Sequence, residues 1–149
     1  MQDTFLTARD QLNRKVETHP GDANMLSALG VIDAALGRKQ VAIDEAKRAV
    51  DMVPISEDAY IGPSLVYNLA VVYAGTNEPE LAFHHIGMLT TIPEGATYGQ
   101  LKLDPSWDPI RADPRHPRVP VRPGCLRIID EQVDKPAPRR YSPRGVSRP

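Results

Sequence analysis

Pro20 and Pro54 stand 34 positions apart, and a period of that size is the mark of stacked supersecondary units. Between them, residues 22–54 read DANMLSALGVIDAALGRKQVAIDEAKRAVDMVP and carry two apolar helical stripes. Leu26, Leu29 and Leu36, widened by Met25 and Ile32, recur at helical spacing. Gly37 follows them, as the residue that accepts a left-handed conformation at a helix end. Ala42, Ala46, Ala49 and Val53 then form a second seam, whose small side chains let two antiparallel helices approach closely. Asp44, Glu45, Lys47, Arg48 and Asp51 are expected on the opposite, solvated face, and Pro54 stops the helix.

The register extends in both directions. Counting back from Pro20 places Ala8 and Leu12 where a second helix carries its core residues. The start of the chain therefore reads as the second helix of a unit whose first helix is missing, and Met1 is expected to begin inside a longer array. Going forward, Val66, Leu69, Ala70, Tyr73, Ala82 and Ile86 keep the offsets of the first unit after a shift of 40 positions, so about six residues are inserted between the units. Gly75 closes the next helix. Asn77 and Glu80 offer a capping box for the one after it, with Pro79 in the first turn. Pro93 comes one position early, Leu89 replaces a small residue, and Asp33 sits at an aromatic position.

Leu26, Leu29, Gly30, Ala42, Ala49 and Pro54 match the large, large, small, small, small and terminating positions of the tetratricopeptide pattern. The chain resembles the tetratricopeptide (TPR) repeat family. The resemblance implies an all-α fold, an α-α superhelix in the form of a TPR-like solenoid fragment, and the composition of the chain adds a disordered C-terminal tail. It divides the chain into a truncated second helix (1–21), a repeat (22–56), a second, TPR-like repeat (57–96), a capping segment (97–116) and a Pro/Arg-rich tail (117–149). The capping segment contains three Asp-Pro pairs, each suited to start a short helical turn. A helix is expected over 97–103, with Leu101, Leu103, Trp107 and Ile110 folding back over the last repeat. This stretch is similar to the end of TPR segments at the C-termini of larger bacterial proteins, including serine/threonine kinases and winged-helix regulators.

Charge is unevenly spread. Residues 1–116 hold 10 basic and 16 acidic side chains, while 117–149 hold 8 and 3. An acidic body argues against nucleic acid along the repeat surface, because phosphate contacts need clustered Lys and Arg. Only the tail, through Arg139, Arg140, Arg144 and Arg148, offers such contacts. With 7 of the 15 prolines and only CLRII as an apolar cluster, that tail is expected to be disordered. No apolar run approaches the ~20 residues of a membrane span, and a lone Cys125 fits a reducing, cytoplasmic compartment.

The chemistry-bearing residues do not assemble into a catalytic pattern. His84 and His85 are adjacent, so on a helix they point about 100° apart and do not form the i, i+4 pair of a helical metal site. Asp33, Asp44 and Glu45 fit a solvated face or a local packing variation better than an acid–base pair, and Gly95 and Gly99 lack the lysine of a phosphate cradle. No catalytic residue, metal ligand or cofactor is expected, and the chain is read as non-enzymatic.

What remains is recognition of a protein or peptide. In the family the first helix of each repeat lines a concave groove, and the matching positions here are Asn24, Ser27, Val31 and Ala34, then Ser64, Tyr67, Val71 and Ala74. This set is small, mildly apolar and uncharged, which suits an extended or helical apolar peptide rather than a carboxylate clamp. The alternative is that these side chains only stack on neighbouring helices. The function implied is a non-catalytic protein-interaction module from a larger bacterial regulatory protein, or else an appended regulatory segment of a kinase-like enzyme whose catalytic domain lies elsewhere. Two repeats are fewer than such folds usually need, so self-association is a further expectation.

Overall fold

The computed structural model describes residues 2–113, and these form an all-α structure. The helices are α1 (Gln2–Thr18), α2 (Ala23–Ala35), α3 (Lys39–Met52), α4 (Ile61–Gly75), α5 (Pro79–Leu89), α6 (Tyr98–Leu103) and α7 (Asp108–Arg111), with a 3₁₀ turn at Pro105–Trp107 between the last two. The tail 117–149, with Cys125 and its arginines, lies outside the described residues, as do Met1 and residues 114–116.

Local chemistry fixes the helix ends. Asp22 opens α2 by accepting the Met25 amide at 3.0 Å on Oδ1, which satisfies one of the orphan donors of the first turn. At the other end Gly37 takes φ +77°. Its amide reaches the Ala34 carbonyl at 3.0 Å, and the Arg38 amide reaches Asp33 at 2.9 Å, a Schellman closure. Helix α4 closes with the same turn 40 positions later: Asn77 takes φ 60° and the Glu78 amide reaches the Tyr73 carbonyl at 2.9 Å. Asn77 is therefore not the cap of α5. Its short amide side chain tolerates the left-handed region, so closing α4 wins over opening α5, which starts at Pro79 with no side-chain cap bond. Gly37→Ala is expected to cost about 1–2 kcal/mol through left-handed strain, whereas Asn77→Gly costs nothing. Urea unfolding midpoints of the two variants check this.

The small-residue seam does what its spacing demands. Ala42, Ala46 and Ala49 of α3 are fully buried, and α2 lies so close that a Cβ on Gly30 would stand 3.0 Å from the Ala42 carbonyl oxygen. Helix α4 is central: it packs on α2, α3, α5 and the elements that follow Asp104. It is correspondingly apolar nearly all round, with Leu65, Val66 and Leu69 to Ala74 buried, as expected for a helix surrounded by others. Leu89, in place of a small residue, is fully buried in the cluster that also holds Ala96, Leu101, Trp107 and Ile110.

The segment after α5 folds back over α4. Thr97 and Gln100 form a reciprocal capping box at the start of α6, and Asp104 caps the 3₁₀ turn by accepting the Ser106 amide at 2.9 Å. Two expectations need correction. Leu103 points outward and is 76% exposed, because α6 is a single turn and a half and its buried face is already filled by Leu101. Asp108 is not a cap: it lies inside α7 and pairs with Arg111 at 2.8 Å, while the same guanidinium bonds the carbonyls of Lys102 and Asp104.

Candidate interaction surface

Tyr67 is the one predicted groove residue with an elaborate environment. Its hydroxyl donates to Asp104 Oδ2 at 2.7 Å and accepts from the Trp107 indole N–H at 3.1 Å. The Tyr67 and Trp107 rings meet edge to face, with centroids 5.3 Å apart and planes at 86°. Burial, then the bond to Asp104, pushes the phenol up to about 12. Burial works against the Asp104 charge, but the Ser106 amide and the Tyr67 hydroxyl outweigh it and hold its carboxyl below the usual range. Tyr67 thus anchors the folded-back segment to α4.

The other predicted groove positions separate into two kinds. Ser27 is fully buried and accepts a hydrogen bond from Asn68 Nδ2 at 3.0 Å, pinning α2 to α4. Ala34, Val71 and Ala74 are buried in the core cluster, and Val31 packs half-buried against it. Asn24 and Ser64 are exposed, but on different hollows. Asn24 borders one of about 510 Å³ with His19, Gly21, Asp22, Ala23, Val53 and Ile61. Ser64 and Tyr67 border another of about 160 Å³ with Pro63, Asn68, Glu94, Gly95 and Gln100. The surface actually offered by the eight residues is Asn24, Val31, Ser64 and the edge of Tyr67.

No protein-family model, curated protein or solved structure matches this chain. The two units of the chain can be set against one another at a shift of 40 positions. Leu29 and Leu69 are both buried, as are Ala42 and Ala82. At the aromatic position the two units differ. In the second, Tyr73 is buried and lies against the His85 ring, 5.3 Å between centroids. In the first, the equivalent residues are Asp33 and Glu45.

Asp33 is fully buried rather than solvated. Its Oδ1 accepts from Arg9 Nε of α1 at 2.6 Å and lies 3.6 Å from Arg38 Nη1. Glu45 is not on an outer face either: its Oε2 is buried without a hydrogen-bond partner, as is Asp33 Oδ2. By the 34-residue shift Arg9 stands where α3 carries Ile43, which packs against the main core. Charges therefore join α1 to α2 where apolar groups join α3 to α4. The sequence signal was Asp33 at an aromatic position, but nothing in the spacing singled out Arg9, 24 residues away, as its partner.

His84 is exposed, and His85 Nδ1–H donates to the Leu81 carbonyl at 2.8 Å. Among the described residues no group of three or more His, Cys, Asp or Glu is placed to hold a metal ion, and no helix is long and apolar enough to cross a membrane.

Proposed function

We propose that the chain is a TPR-type helical-repeat module of solenoid arrangement that binds a protein or peptide segment without catalysing a reaction. The observation that carries this reading is the internal repetition: two helix pairs, α2–α3 and α4–α5, share buried positions at a 40-residue shift and close their first helices with the same left-handed turn. The second pair's first helix packs on both helices of the first pair, which is how repeats of this class extend a continuous core. Their usual work is presentation of a surface along the first helices. A cytoplasmic, bacterial setting belongs to the same reading.

The positions to be tested are the accessible ones of this set, Asn24, Val31, Ser64 and the edge of Tyr67. Peptide display on the full chain is expected to yield extended or helical apolar sequences whose binding is lost in Asn24→Trp and Ser64→Trp. Both sites are exposed, so thermal melting should be unchanged. Selected peptides that bind these variants as well as the parent, and are lost instead on Leu81→Asp or Met88→Asp at the exposed face of α5, would sink the assignment of the surface.

A further inference from the structure

Asp33 and Glu45 pose a problem of hydrogen-bond accounting. Each presents a buried carboxylate oxygen, Oδ2 and Oε2 respectively, with no donor in reach. An ionised carboxylate only accepts, and a protonated one also donates. Leaving two such oxygens desolvated and unbonded is costly. The two residues occupy the positions that Tyr73 and His85 fill against one another in the second unit, and each lies within the electrostatic reach of the other across the α2–α3 pair.

We propose that Glu45 keeps its proton in the folded chain and donates it to the orphan oxygen of Asp33, and that this proton makes the packing of α1, α2 and α3 pH-sensitive, tighter in mildly acid than in mildly alkaline solution. The proton satisfies both orphan oxygens at once, while Arg9, held by Asp33 Oδ1 at 2.6 Å, balances the single remaining charge.

The surroundings of Glu45 bear on the sign. On α1 there is Arg9, with Asp10 beyond it; on α2, Asp33; in the following turn, Arg38. Asp44 and Arg48 of α3 border the same hollow of about 280 Å³, together with Asn13 of α1. Burial first, then the negative charge of Asp33, pushes the Glu45 carboxyl up from its ordinary 4.5 to about 7, with Arg9 and Arg38 opposing. The folded state therefore binds the proton more tightly than the unfolded chain. The stabilisation is fully present below pH 4.5, and is lost as pH rises towards and through 7. At one proton per molecule, the folding constant falls up to about tenfold per pH unit within that window.

Two measurements on the full chain test this. The side-chain carboxyl carbon of Glu45, followed by ¹³C NMR, is expected to titrate with a midpoint near 7; a midpoint near its ordinary 4.5 overturns the proposal. Urea unfolding between pH 5 and 8 is expected to show the parent losing stability more steeply than Glu45→Gln, by the equivalent of one proton. Histidines contribute to both chains alike and cancel in the comparison. Parallel profiles overturn the proposal, and if Glu45→Gln does not fold, the carboxyl titration decides alone.

Discussion

Trp107→Ala is expected to lower the unfolding free energy by about 3–5 kcal/mol, the range for deleting a large aromatic side chain from a packed core. Trp107 is fully buried and is the largest such side chain in the structure. Its removal opens a void beneath the 3₁₀ turn, ends the edge-to-face contact with Tyr67, and takes away the indole donor to the Tyr67 hydroxyl. Small domains are stable by about 5–15 kcal/mol, so a loss of this size consumes much of the total. Urea titrations followed by far-ultraviolet circular dichroism measure it. Leu103→Ala supplies the contrast: four residues earlier but 76% exposed, it should change stability by no more than about 0.5 kcal/mol. Equal effects from the two would mean that the segment after α5 does not dock on α4 as described.

Arg9→Met is expected to cost about 3–5 kcal/mol, because removing one partner of a buried ion pair leaves the other charge uncompensated. Asp33 is completely buried and Arg9 holds it at 2.6 Å, whereas Arg38 is both more distant and more exposed. Adding Asp33→Tyr in the same chain should recover most of the loss, since Tyr73 already occupies the equivalent place in the second unit and apolar replacements of buried ion pairs are often neutral or stabilising. A double variant as unstable as the single one would show that the charges also set how α1 seats on α2. By comparison, the Lys39–Glu78 pair, also 2.6 Å long, joins two half-exposed side chains, and Lys39→Ala should cost less than about 1 kcal/mol.

Most of the helical plan was legible in the sequence because it rests on short-range physics. Alanines at 42, 46 and 49 are all fully buried, and a run of small residues at helical spacing has no other good use than close packing. Gly37 ends α2 for a reason contained in one residue. The helix start at 97 and the Asp104–Pro105 turn likewise depend only on neighbours three or fewer positions apart. Where two local rules competed, sequence reasoning chose wrongly: Asn77 can open a helix or close one, and the demand of α4 for a left-handed residue decided it.

The candidate surface was less legible, for a geometric reason. Asn24 and Ser27 stand three positions apart and so on the same side of a helix, and which of them reaches solvent depends on how closely α4 approaches α2. It approaches closely enough for Asn68 to bond Ser27, which removes Ser27 from the surface and leaves Asn24 on it. Tyr67 was read as part of an open groove, and its hydroxyl is instead engaged by Asp104 and Trp107, 37 and 40 residues away.

By itself the sequence determined the all-α class, the helix pairs, the turn at Gly37 and the small-residue seam of α3, since each follows from periodicity and capping within a few residues. Only the tertiary structure decided that α4 is enclosed, that the segment after α5 is fastened through Tyr67, and that Asp33, Glu45 and Arg9 meet in the interior. Those outcomes depend on distances between groups far apart in the chain. A carboxylate or a phenol carries no mark in the sequence that tells whether water or an arginine will surround it.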